Sequence, residues 1–346
     1  MRRTLATMAL FALGCSDPAG GPDAGRSDTL DASANDAGAN DAGAVGDATR
    51  DGAAALDGLV PLDAPEPADA PRCARRASLG LFVWGDDLAA RRDAILDLAA
   101  SAGVTEVYLH ANLFYAGDLD ETVLADWIRA ANARCIDVEL LFGNARWILP
   151  PMQREARDRT DWAVGFASAH PDARPTGVHF DLEPQQLGEW DVTADRPTLL
   201  ASLVDVLEAM TPAAEAGGLV LSIDVGFFLD GYDVTRAGRT RPASEWITDA
   251  VGRVVVMDYR DSAESMGFGG MISLAEDEVA YATTTGTPIV LAAETGDVAP
   301  EYVTFREEGL AAMRTELAAV RAHFATSASF AGLAIHDERA LRDLPP

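Results

Sequence analysis

From Ser78 to the C-terminus, hydrophobic and polar positions repeat one unit: a short apolar run, a polar or acidic residue, then a stretch with helical spacing. The apolar runs are S-L-G-L-F-V-W (78–84), T-E-V-Y-L-H (105–110), I-D-V-E-L-L-F (136–142), G-V-H-F-D-L-E (177–183), L-V-L-S-I-D-V (219–225), R-V-V-V-M-D-Y (253–259), P-I-V-L-A-A-E (288–294) and F-A-G-L-A-I-H (330–336). Their Val, Ile, Leu and aromatic content suits parallel strands buried on both faces. Between them the spacing predicts helices. Over 86–102, Leu88, Ile95, Leu98 and Ala99 share one face and Gly103 ends the segment. Further helices are expected over 119–133, 154–169, 197–216, 243–250, 274–285 and 305–324, with a short one over 338–344. Pro197 suits the first turn of its helix, and Gly217-Gly218 its end. Eight such alternations predict an α/β fold, a (β/α)8 TIM barrel. An open doubly wound sheet would carry a glycine-rich turn after the first strand, and W-G-D-D at 84–87 is not one.

The first 77 residues follow another pattern. M-R-R-T-L-A-T-M-A-L-F-A-L-G-C places two arginines before an apolar run that meets Gly14-Cys15. The run is too short for a membrane span and reads as an export signal over 1–14. A-L-G-C resembles a bacterial lipobox, which implies lipidation of Cys15. Residues 15–71 are then a tether rich in Asp, Ala, Gly and Pro, in which N-D-A-G-A occurs twice in succession. No apolar face can form there, so disorder is expected. The globular domain is expected over 72–346. The reading is an exported lipoprotein at the bacterial cell envelope, touching the membrane only through its anchor, with a monomer expected.

Charge narrows the partners. The net charge is −28, and the tether contributes twelve acids against Arg26 and Arg50. The folded part is also strongly acidic, which argues against nucleic acid. All 27 basic residues are Arg. Without lysine, Schiff-base and pyridoxal phosphate chemistry and a P-loop are excluded. No cofactor is expected. Cys73 and Cys135 both precede strands at one end of the fold, and an exported compartment permits a bond between them; a disulfide and two buried thiols both remain open.

Chemistry in such barrels sits at the C-terminal ends of the strands. Those ends carry Trp84, Asp86, His110, Asn112, Asn144, Asp181, Glu183, Asp224, Asp258, Tyr259, Arg260, Glu294, His336 and Asp337. Asp181 and Glu183 are two apart, so both face inward on the fourth strand. Two neighbouring carboxylates cannot both ionise freely, and one pKa is expected to rise. A protonated Glu183 beside an ionised Asp181 suits glycosidic bond cleavage. Trp84, Tyr115, Trp147, Trp190, Phe227 and Phe228 fall at or after strand ends, where aromatic faces stack on sugar rings. His179 shares the inward face one layer deeper and is expected to be a hydrogen-bonded core residue.

The stretch G-V-H-F-D-L-E-P (177–184) resembles the fourth-strand signature of family 18 glycoside hydrolases, the chitinase-like enzymes, whose pattern is D-G-x-D-x-D-x-E. M-D-Y (257–259) is similar to that family's M-x-Y on the sixth strand. The resemblance implies Glu183 as general acid, Asp181 orienting a substrate acetamido group, and Tyr259 bonding to it. The substrate amide would then be the nucleophile. Trp84, His110, Asn112, Asp224, Asp258, Arg260, Glu294 and His336 are the expected carbohydrate-binding residues. This chain has Thr176 and His179 where the family has its first two aspartates. Arg260 follows the tyrosine where Asp or Asn is common. I-H-D (335–337) stands where the family places a tryptophan. Two alternatives therefore stay open. One is a carbohydrate-binding protein without turnover. The other is a metal-dependent hydrolase built on His110, Glu183, Asp224, Glu294 and His336, which no H-x-H or H-E-x-x-H spacing supports; no metal is expected.

Overall fold

The computed structural model describes residues 78–264 and 269–346. The export signal, Cys15, the acidic tether and Cys73 lie outside the described residues. In chain order the strands are β1 (Ser78–Val83), β2 (Glu106–His110), β3 (Asp137–Gly143), β4 (Gly177–Asp181), β5 (Val220–Gly226), β6 (Asp233–Arg236), β7 (Arg239–Pro242), β8 (Arg253–Met257), β9 (Ile289–Glu294) and β10 (Phe330–His336). The helices are α1 (Leu88–Ser101), α2 (Asn112–Ala116), α3 (Glu121–Asn132), α4 (Gln153–Ala169), α5 (Arg196–Ala216), α6 (Ala243–Ala250), α7 (Met271–Thr285), α8 (Gly309–Phe324) and α9 (Glu338–Arg342). Eight parallel strands close into a barrel in the order β1-β10-β9-β8-β5-β4-β3-β2. Each expected strand is present, and the expected (β/α)8 fold is the fold observed.

Two pieces went unpredicted. The helical turn α2 follows β2 directly. The hairpin β6-β7 turns through Ala237 and Gly238, both at positive φ, the backbone of a tight type I′ connection. The chain signal there was only A-G between two short polar runs. Elsewhere local cues sufficed. Asp120 caps α3 by accepting from the Thr122 N–H at 2.7 Å. Leu124, Trp127, Ile128 and Ala131 then face the barrel wall. Cys135, in the turn before β3, is disulfide-bonded.

The wall side of each strand packs on the helices in one large apolar core. The other parity fills the barrel. Phe82, Tyr108, Leu141, Val255, Met257, Val290, Ala292 and Ala334 form a second, inner core. Among them runs a chain of charge. Arg253 contacts Glu106 at 2.5 Å and Glu139 at 3.0 Å. His179 reaches Glu139 through Nδ1 at 3.1 Å and Asp224 through Nε2 at 2.9 Å. Room for the Glu139 carboxylate comes from Gly177, since a Cβ there would lie 2.8 Å from its oxygen. Burial alone would lower the His179 pKa, but the flanking Asp224 and Glu139 carboxylates outweigh it and raise it to about 10. Burial pushes Glu139 the other way, yet Arg253 and His179 hold it below the ordinary value.

A different acidic pair lies outside the barrel. Asp258 follows β8 with its side chain on the wall parity, near Glu278 of α7. Burial and Glu278 raise Asp258 well above the usual carboxylate range. Burial first, then Asp230, raises Glu278 to about 8. The unfolded chain releases the Glu278 proton near 4.5 and the folded chain holds it to about 8. In that window the unfolded state binds fewer protons, so folding stability falls as pH rises.

Two outcomes follow for equilibrium denaturation. Glu139→Gln, which strips the shared counter-ion from Arg253 and His179, should cost about 3 kcal/mol or more. Between about pH 5 and about pH 8, Glu278→Gln should lose less stability than the parent chain.

Candidate functional site

At the C-terminal mouth, β4 ends on Asp181, 5% exposed, with Glu183 two residues on and 3% exposed. Leu182 between them turns into the outer core, as strand alternation requires. Asp181 is the register partner of Asp224 on β5. Asp224 in turn is tied to His179 beneath it, and burial nevertheless leaves its pKa raised. Glu183 is held from its own loop: Gln185 Nε2 donates to one carboxylate oxygen at 2.6 Å, and Gln186 Nε2 donates to the other.

A cleft of about 340 Å³ opens beside this strand, lined by Trp84, Asn144, Arg146, Asp181, Gln186 and Glu189, among others. Gly143 on β3 lies between its two walls: a Cβ there would make ordinary contact with both, 3.4 Å from the Asp181 Cβ and 3.5 Å from Trp84 Cη2. Trp84 is itself held by a relay across the barrel closure. The Thr295 and Gly296 N–H groups donate to Glu294 at 2.8 and 2.6 Å. Glu294 lies 2.8 Å from His336 Nδ1, and Trp84 Nε1 donates to His336 Nε2 at 3.1 Å. An indole N–H only donates, so Nε2 accepts and the His336 proton sits on Nδ1, toward Glu294. Burial acts to raise the Glu294 pKa, but His336 and the two backbone donors bring it below the ordinary value.

The other expected residues divide. Tyr259 is buried at the mouth, its ring centroid 6.1 Å from that of His336. His110 is buried with Nδ1 3.3 Å from the Gly85 carbonyl and its ring 5.4 Å from Trp84. Asn112 accepts from Arg159 Nε of α4 at 3.1 Å, which turns it toward the helix layer rather than the cleft. Asp258 faces Glu278 behind the wall, because it stands one residue out of phase with the inward Met257 and Tyr259. Arg260 is buried, donating to the Tyr259 carbonyl.

Of the expected stacking aromatics, Trp84 alone lines the cleft. Trp147 and Tyr115 lie against the Arg159 guanidinium at 3.9 and 4.3 Å. Trp190 is buried against Tyr232 and Phe228. Among the described residues no group of three or more His, Cys, Asp or Glu is placed to hold a metal ion. Of the residues named in the metal-dependent alternative, Glu183 accepts from two glutamines, Asp224 pairs with His179, and Glu294 with His336.

Residues the strand-end reading missed are Glu106, Glu139 and Arg253 below the mouth and Arg146, Gln186 and Glu189 around it. The first three were detectable. Each is a charge inside an apolar strand, in phase with an inward strand-end residue. The cleft-lining loop residues carry no such periodic signal.

No family model and no curated protein matches the sequence. Solved structures do match in shape. A GH18 chitinase from Cycas revoluta, in complex with (GlcNAc)4, superposes with a TM-score of 0.50 at 13% identity, covering 77% of this chain and 96% of that one. The chain has the fold of family 18 chitinases. A chitinase from Chromobacterium violaceum has a TM-score of 0.48 at 15% identity, covering 77% of this chain and 98% of that one. One from Bacteroides thetaiotaomicron has 0.47 at 10%, covering 76% and 90%. His336 on β10 thus holds Trp84 at the end of the neighbouring β1.

Trp84 orientation is measurable. The Trp84 contribution to emission, isolated by difference from Trp84→Phe, should shift to the red in His336→Ala. It should return in His336→Gln, whose amide oxygen again accepts from the indole.

Proposed function

We propose that the barrel is a glycoside hydrolase-like domain that acts on a carbohydrate, with Glu183 as general acid and Asp181 and Tyr259 assisting. The observation that carries this reading is the delivery of Asp181 into a cleft walled by Trp84, with Glu183 two residues beyond on a family 18 fold. A sugar ring stacked on the indole would present its edge to the Asp181 strand across Gly143. Glu183 would protonate the leaving oxygen. Asp181 would orient a 2-acetamido group whose oxygen attacks the anomeric carbon, and Tyr259 would bond to that oxygen. The two glutamines fit either protonation state of Glu183, since an amide offers both donors and an acceptor.

A binding protein without turnover is the second reading. It is favoured by the pair of amide donors on Glu183, which occupy both carboxylate oxygens. On either reading, the sequence of the first 15 residues supports an exported protein anchored through a lipidated Cys15.

The deciding experiment follows chromophore release from aryl N-acetylglucosaminides and cleavage of chito-oligosaccharides. Glu183→Gln should lower turnover by about 10²-fold or more with binding preserved. Binding to insoluble polysaccharide with no turnover in the parent chain would establish the second reading, and turnover unchanged in Glu183→Gln would remove that residue from the mechanism.

A further inference from the structure

Arg260 is the one arginine among the described residues that is buried, at 3% exposed. Its burial is only partly compensated. A guanidinium has five N–H donors. Nη1 donates to the Tyr259 carbonyl at 2.6 Å, while Nε is buried with no partner. Asp258 and Asp261 flank it in sequence, yet both act on it only through space, without a hydrogen bond. Three other partly buried arginines are paired with acids: Arg91 with Asp87 and Glu338, Arg253 with Glu106 and Glu139, Arg236 with Asp205 and Glu208. Supply is not the reason, because the chain has 55 acids for 27 cations.

A buried cation without a counter-ion is costly. Here two rings fix it in place. The guanidinium carbon lies 4.8 Å from the Phe227 ring and 5.3 Å from the Tyr302 ring. Phe227 follows β5 and Tyr302 follows β9, so the group sits at the C-terminal mouth. Tyr302 is 40% exposed, which leaves the guanidinium one side chain from solvent.

We propose that Arg260 is an anion subsite at the barrel mouth that selects a saccharide bearing a carboxylate or sulfate. The inference rests on the carbohydrate reading above and narrows its substrate class to acidic glycans. Guanidinium geometry matches both anions, and charge-assisted hydrogen bonds to them are among the stronger ones available. A buried, fixed cation would confer position as well as affinity on an acidic saccharide.

The test is calorimetric titration of the full chain with three oligosaccharides of equal length: a neutral chito-oligosaccharide, one with alternating glucuronate, and a sulfated chito-oligosaccharide. The acidic ligands should bind about tenfold or more tighter than the neutral one. Arg260→Gln should abolish that preference, and Arg260→Lys should keep part of it. A preference that survives Arg260→Gln, or is absent from the parent chain, overturns the proposal. Thermal melts with inorganic sulfate separate the two ideas. Sulfate protection of the parent but not of Arg260→Gln, with no oligosaccharide bound, upholds the anion subsite and sinks the carbohydrate reading. Neutral binding without acidic preference does the reverse.

Discussion

Strand alternation inside a closed sheet governs this molecule. Every second side chain of eight strands must enter one shared interior, and whatever charge it carries must find an opposite there. Glu139 meets that demand twice, with Arg253 on one side and His179 on the other. His179 passes the balance upward to Asp224, which stands in register with Asp181. The floor of the candidate site is thus an ion chain rather than an apolar plug. Its members come from β2, β3, β4, β5 and β8 and tie the electrostatics of the mouth to the closure of the barrel.

This arrangement gives a physical account of one departure from the family 18 pattern. An aspartate at position 179 would add a third carboxylate between Glu139 and Asp224. A histidine there, carrying a proton well above neutral pH, turns the same position into the cation that the two neighbours require. The departure at the eighth barrel strand has a similar logic. His336 offers no indole, but it accepts from Trp84 and is oriented by Glu294. The aromatic wall of the cleft is Trp84, which follows β1.

The mouth is consequently asymmetric. On the β1, β3 and β4 side lie an aromatic wall, Asp181 and the open cleft. On the β5, β8 and β9 side lie Tyr259 and a guanidinium set between Phe227 and Tyr302. A saccharide spanning the mouth would meet stacking and carboxylate chemistry at one end and fixed positive charge at the other.

The sequence by itself determined the barrel, because strand and helix periods are local and eight units in order admit few topologies. It also determined which residues reach the C-terminal rim, including Trp84, Asp181, Glu183, Tyr259 and His336. Period alone even places Asp258 out of phase with its neighbours, although its position at a strand end suggested a binding role. What only the tertiary structure decided is who meets whom. Trp84 and His336 are 252 residues apart, and Arg253 reaches Glu139 across 114. Asn112 was claimed by Arg159 of a later helix, and Arg260 was left without the carboxylates beside it in the chain. Such pairings depend on closure and register, which are summed over the whole sheet, and no local stretch of the chain contains them.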